Sequence, residues 1–287
     1  SGPLKGRRVF VSTDGGRTRH RKYRPGPPKK NGHRNYDAPW QEPKLLVIYT
    51  VDNRGKVEAS FQPIYDGTLN DCEAIFDMLL GYLRALGVHE AQELIIVADG
   101  AKWIWERAKD LIKGCEIDES KVSQVVDWYH AVQKLHTIAG IPKNWDSAEK
   151  AKWIKKAKRL LYAGKTGELK AHVESLATGR RAKAIRTHIP YFSRNEHRMQ
   201  YQTFTAAKIP IGSGAMESAV RRIINLRMKS NAKFWLEVNA EGMIMIRSYL
   251  KAGRFDDLIN WSISSAAWWG TGYDAAVVAS GEFPLVA

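Results

Sequence analysis

The stretch Glu-Leu-Ile-Ile-Val-Ala-Asp-Gly-Ala, residues 93–101, constrains the fold more than any other. Its five consecutive apolar residues, Leu94 to Ala98, stop at Asp99 and a glycine. The run is too short for a buried helix and does not alternate, so it reads as a strand buried on both faces. Such a strand needs partners on both edges and helices on both sides of its sheet, which makes the chain α/β.

The rest of the sheet is legible around it. Arg7 to Arg17 (RRVFVSTDGGR) reads as a strand ending in Asp14 and a glycine turn. Lys44 to Asp52 is a second strand, and Asn53-Arg54-Gly55 turns the chain into a third, antiparallel strand over Lys56 to Tyr65. Ile75, Leu79, Tyr82, Leu83 and Leu86 recur at helical spacing, and Gly87 ends that helix. A helix closed by Gly114 follows Asp99, and another buried strand runs out at Asp127 and His130. The order β-β-β-α-β-α-β is that of a ribonuclease-H-like core: a mixed five-stranded sheet flanked by helices, with the first strand central and the fourth parallel beside it.

Ligand sites in open α/β sheets lie beyond the carboxyl ends of such strands, so Asp14 and Asp99 are expected to meet. Asp-Gly is also a frequent turn dipeptide, and either aspartate alone reads equally well as a turn residue. Asp52, before Asn-Arg-Gly, is the rival first acid and reads as a hairpin turn. Two adjacent carboxylates repel unless a divalent cation lies between them. Two Mg²⁺ ions, with Mn²⁺ able to substitute, suit oxygen donors of this kind and can clamp both oxygens of a phosphoryl displacement. A third carboxylate is then wanted. Glu217 offers one, on the first turn of a helix opened by Gly212-Ser213-Gly214. An isolated Glu there reads better as a complement to the helix dipole.

Charge points to the partner. The 287 residues carry 45 Lys and Arg against 30 Asp and Glu, a formal charge of +15 that favours a polyanion such as nucleic acid. From Arg17 to Arg34 there are eight cations (Arg17, Arg19, Arg21, Lys22, Arg24, Lys29, Lys30, Arg34) and no acid, in a loop or extended hairpin arm. Arg221, Arg222, Arg227 and Lys229 follow Glu217, where they read as backbone contacts to DNA rather than as a solvated face. The two cysteines, Cys72 and Cys115, form no Cys-x-x-Cys pair, so neither a zinc ribbon nor a disulfide framework is indicated. No apolar run reaches the ~20 residues that span a bilayer.

The chain divides into residues 1–130, the first part of the core with a basic arm at 17–40; 131–205, a basic helical insertion in which Asp146 and Glu149 form a capping box; 206–260, the Glu217 helix and its successor; and 261–287, an apolar tail bearing Trp268 and Trp269.

At "STDGGR", "VADGAKWIW", "DWYHA" and "IPIGSGAMESAVRRIINLRMKS" the sequence resembles the DDE transposases of bacterial insertion sequences, in particular the ISKra-type family, related to the Mutator-like transposases. The resemblance runs from about Arg8 to Ile259. It implies a ribonuclease-H-like fold with an all-helical insertion before the final Glu helix, and catalytic, metal-holding Asp14, Asp99 and Glu217. It makes Asp127 and His130 active-site neighbours. It implies DNA cleavage at transposon ends and strand transfer from a 3′-hydroxyl, by a homo-oligomer on DNA in the bacterial nucleoid. Such transposases usually carry an N-terminal end-binding region, expected here to be missing or supplied by a separate protein. The competing expectations are a nuclease of the same fold that does not join strands, and a domesticated DNA-binding derivative.

Overall fold

The computed structural model describes residues 2–264. Its centre is a five-stranded sheet: β1 (Arg8–Gly15), β2 (Lys44–Val51), β3 (Ile64–Thr68), β4 (Glu93–Ala98) and β5 (Val122–Val126). The spatial order is β3-β2-β1-β4-β5. β1 pairs antiparallel with β2, and β2 with β3; β1–β4 and β4–β5 are parallel. The run that opened the sequence reading is therefore an interior strand, and Leu94 to Ala98 are all buried. The sheet matches the expected α/β class and the expected central place of the first strand.

Helix α1 (Cys72–Ala85) starts where Asp71 takes the N–H groups of Glu73 and Ala74, and buries Ile75, Phe76, Leu79 and Leu83. Helix α2 (Lys102–Gly114) follows β4, and α3 (Trp128–Ala139) follows β5 without a loop. The helical insertion continues through α4 (Ser147–Tyr162), α5 (Thr166–Glu174), α6 (Ala182–Arg186), α7 (Ile189–Arg194) and α8 (Tyr201–Ala206). The Asp146–Glu149 capping box opens α4. The insertion is pinned to the sheet by Tyr201, fully buried, whose hydroxyl donates to the Val126 carbonyl at 2.9 Å. Helix α9 (Gly214–Ala219) passes into a wider π-helical stretch at Val220–Asn225 and ends at Met228. Helices α10 (Glu237–Ala252) and α11 (Phe255–Ser264) close the described chain.

Two local expectations are corrected. The third strand is not Lys56–Tyr65 but Ile64–Thr68. Asp52 takes the N–H groups of Arg54 and Lys56, the hairpin keeps only the Val51–Val57 bridge, and the chain leaves the ladder before Pro63, which has no N–H to give. Helix α2 ends at Gly114 as expected, and Glu116, at φ 53°, takes the left-handed position beyond it. The stretch from Trp261 is helical as far as Ser264, while Trp268 and Trp269 lie outside the described residues. Among the described residues no helix is long and apolar enough to cross a membrane.

Candidate active site

The parallel register aligns three aspartates. Val11 of β1 pairs with Ile96 of β4, and three residues further along each strand stand Asp14 and Asp99. Ala98 pairs with Val126 of β5, and one residue further stand Asp99 and Asp127. The β1–β4 ladder is paired as far as Val11–Ile96 and the β4–β5 ladder as far as Ala98–Val126, so the aspartates follow the paired ends of three adjacent parallel strands. The sheet thus ends in a row, Asp14–Asp99–Asp127. Each accepts a nearby backbone N–H on a carboxylate oxygen, Asp14 within the last residues of β1 and the other two just past their strands. Asp14 takes that of Gly15 at 2.7 Å, Asp99 that of Ala101 at 2.6 Å, and Asp127 that of His130 at 2.9 Å.

Their surroundings separate them. Burial raises the Asp14 pKa above its ordinary value; the Gly15 hydrogen bond and His130 oppose this, and the Asp99 and Glu42 charges add to it. Asp127 is fully buried, which by itself would raise its pKa. The hydrogen bonds from His130 and Ser213 outweigh burial and pull it down to about 2. His130 Nδ1 lies 3.3 Å from Asp127 Oδ1, an ion-pair distance, although the nitrogen is not aligned for a hydrogen bond. The Asp127 carboxylate, resisted by burial and assisted by Asp14 and Asp99, lifts His130 to about 8. The rise favours the protonated ring, which is a counter-charge to the neighbouring carboxylates rather than a metal ligand.

Asp127 also fixes the final helix. Its Oδ2 accepts both the N–H and the hydroxyl of Ser213, each at 2.6 Å. Trp128 N–H donates to the Ile211 carbonyl at 2.8 Å. A Cβ on Gly212 would sit 2.9 Å from the Tyr129 ring, so a larger residue there would displace that exposed ring. Ser213 occupies the N-cap position of α9 yet spends its hydroxyl on Asp127 rather than on the helix. Sequence reasoning missed this residue, and a serine between two glycines ahead of a helical run was the available signal. Beyond the latch, Met216, Ala219 and Ile223 are buried, with α9 lying against β1 and β2. Glu217 is exposed on the first turn.

The mutual charges of Asp14, Asp99 and His130 and the hydrogen bonds of Asp127 bring these four together, and among the described residues no hydrogen bond or ion pair joins Glu217 to them. Among the described residues no group of three His, Cys, Asp or Glu side chains stands close enough to hold a metal ion. Asp99 and His130 open into a cleft of about 410 Å³ whose other lining includes Lys134, Tyr191 and Arg194. Tyr191 lies directly over Gly100, and Lys134 Nζ sits 5.3 Å from its ring centre. The helical insertion thus forms a wall of the Asp99 cleft. Of the two aromatics beside Asp127, Trp128 packs edge-on to Tyr201 and Tyr162, whereas Tyr129 is exposed.

The cations fall into two groups. The arm is a hairpin in which Thr18–Arg19 pairs with Trp40–Gln41 and Lys22–Tyr23 with Tyr36–Asp37. Arg19 lies between the Trp40 and Phe234 rings, 5.3 and 5.4 Å from their centres, Arg21 lies over Tyr36, and Lys229 approaches Trp40. Backbone bonds between Arg19, Arg21 and Trp235 clip the arm to the segment after α9. Arg17 and Lys22 face solvent. Arg221, Arg222 and Arg227 line one cleft of about 590 Å³ with Leu226 and a residue sequence reasoning missed, Arg247 of α10. Its Nη2 donates to the Arg222 carbonyl at 2.6 Å, and among the described residues no carboxylate pairs with any of the four. Arg247 lies inside the apolar run Met243–Leu250, where no charge pattern marks it.

Compared with protein-family models, with curated proteins and with solved structures, the chain matches none.

Proposed function

We propose that this chain is the catalytic core of a DNA transposase of ribonuclease-H-like architecture, which cleaves DNA at transposon ends and joins the freed 3′-hydroxyl to target DNA. The observation that carries the reading is the row of aspartates at the ends of three adjacent parallel strands, tied through Asp127 and Ser213 to the helix bearing Glu217. The strand order β3-β2-β1-β4-β5 supports the architecture.

The donor chemistry of Asp14 and Asp99 fits Mg²⁺ or Mn²⁺. Both offer hard oxygens, and Asp14 is a half-buried carboxyl whose charge a cation would relieve. Glu217, from its own helix, is the third donor in this reading. A divalent cation bound there supplies charge neutralisation at the phosphoryl group and at the oxygens that enter and leave it. The protonated form of His130, favoured by the Asp127 carboxylate, offsets negative charge beside the aspartates. Arg221, Arg222, Arg227 and Arg247 hold phosphodiester oxygens, together with Arg17 and Lys22 of the arm. No covalent protein–DNA intermediate is needed, because positioning and charge carry the transfer. Paired ends call for a homo-oligomer on DNA.

The test is joining of a pre-cut, labelled transposon-end oligonucleotide to plasmid DNA in Mg²⁺ or Mn²⁺, with the Asp99→Asn protein beside the wild type. Joining by the wild type alone supports the reading, and joining by Asp99→Asn sinks it. Nicking without joining moves the assignment to a nuclease, and DNA binding without either moves it to a DNA-binding derivative.

A further inference from the structure

Arg198 is a charge without a counter-charge. Its side chain is 7% exposed, and it lines a cavity of about 820 Å³ between α2 and the segment following α7. Its Nε donates to Gln124 Oε1 at 2.9 Å, and its Nη1 to Asn195 Oδ1 at 3.3 Å and to the Arg194 carbonyl at 3.4 Å. Its Nη2 donates to none of the described residues. The guanidinium lies 4.4 Å from the centre of the Trp105 ring. Every one of these partners is neutral, so the full positive charge remains. An arginine in protein does not lose its proton, and a buried charge is costly unless paired.

The rim adds cations rather than removing the need for an anion. Lys109, Lys113 and Arg194 line the cavity, as do Lys102 with its partner Glu106 at 3.2 Å, Asp110 and Glu119. None of those carboxylates lies within ion-pair distance of Arg198 among the described residues. Two links run from Arg198 to the turn that carries Asp99, one by hydrogen bonds and one through its cation–π contact with Trp105. One passes through Asn195, whose Nδ2 donates to the Gly100 carbonyl, and the other through the stacked Trp105, whose Nε1 donates to the Asp99 carbonyl. Gly100 lines this cavity and the Asp99 cleft alike, whereas Asp14, Asp99, Asp127 and His130 do not line it.

We propose that this cavity is a phosphate-binding site, with Arg198 Nη2 at its floor and Lys109 and Lys113 at its rim. The free half of a planar guanidinium and ammonium groups from other directions suit a tetrahedral, multiply charged anion better than a planar carboxylate. The phosphate comes from a nucleic-acid strand or from a small free phosphate. The assignment stands whether or not the transfer reaction does.

The test uses the whole ¹⁵N-labelled protein and follows the Arg198 Nε–H resonance, identified by its loss in Arg198→Lys, or by its displacement in Gln124→Leu should the lysine protein not fold. Sodium phosphate and a ten-nucleotide single strand are titrated separately, against sodium chloride at equal ionic strength. The expected result is a saturable shift with at least one phosphate probe. In Lys109→Gln/Lys113→Gln, two exposed changes, binding weakens roughly tenfold or more, as expected for lost charge-assisted bonds. A shift with the strand alone identifies a nucleic-acid phosphate, and one with sodium phosphate alone a small ligand. A resonance that moves no further with either probe than with chloride overturns the site, and so does wild-type affinity in the double variant.

Discussion

Replacing Asp127 by Asn tests the joint between sheet and final helix. The wild-type carboxylate accepts the N–H of His130 on one oxygen and the N–H and hydroxyl of Ser213 on the other, with no exposed surface. A carboxyl held at about 2 against an ordinary 3.8 has its charged form stabilised in the fold by roughly 2–3 kcal/mol, at about 1.4 kcal/mol for each tenfold in proton affinity. Asn keeps the shape and one accepting oxygen. Its NH₂ must then face either the His130 N–H or the Ser213 pair, which leaves at least one buried donor without an acceptor at about 1–3 kcal/mol. These terms overlap, and about 3 kcal/mol is expected. For a chain of this size that corresponds to a fall of roughly 6–12 °C in Tm. Thermal and urea unfolding followed by circular dichroism measure it. Ser213→Ala removes one of the same bonds, so the two changes must couple by about 1 kcal/mol or more in a double-mutant cycle. A Tm loss under about 2 °C for Asp127→Asn, or additivity within about 0.5 kcal/mol, would refute the latch.

Other expectations follow from the same geometry. Asp127, with its pKa depressed to about 2, contributes stability above pH 3.8 that is lost as pH falls toward 2. His130, raised from 6.5 to about 8, contributes stability fully present below pH 6.5 and lost as pH rises through 8. Urea midpoints measured across pH should therefore be highest between about 4 and 6.5, and His130→Gln should flatten the alkaline fall. Gly100→Ala drives a Cβ into the Tyr191 ring, so a loss of about 1–3 kcal/mol is expected, partly recovered when Tyr191→Ala is added. Should the arginine cleft grip a DNA backbone, Arg222→Gln and Arg247→Gln each lower the slope of log affinity against log salt by about 0.9. Fluorescence anisotropy between low and moderate salt reads that slope, and an unchanged slope would remove the cleft from the DNA path.

Periodicity exposed the sheet because burial on both faces leaves an unbroken apolar run, as at Leu94–Ala98, and because an aspartate ending each parallel strand is visible at 14, 99 and 127. Their alignment was not visible, since register depends on pairing across distant segments. Ser213 was hidden because its hydroxyl bonds a residue 86 positions away. Arg247 was hidden as a single cation inside an apolar run, and Arg198 because nothing in its local sequence shows that its guanidinium turns inward. Arg19 illustrates the converse: it lies in the most basic stretch of the chain, yet its guanidinium packs between Trp40 and Phe234. The third strand slipped because the alternation in Lys56–Tyr65 suits a strand, and only Pro63 marked the break. The π-helical stretch after Glu217 has no sequence mark in Val220–Asn225.

The central claim is that Asp14 and Asp99 form a divalent-cation site to which Glu217 contributes. Mn²⁺ titration followed by electron paramagnetic resonance of the free ion tests it most directly, on the wild type and on Asp14→Asn, Asp99→Asn and Glu217→Gln. The account predicts saturable Mn²⁺ binding by the wild type, its loss in either aspartate variant, and weaker binding or fewer ions in Glu217→Gln. Mn²⁺ binding by Asp14→Asn and Asp99→Asn equal to that of the wild type would contradict it.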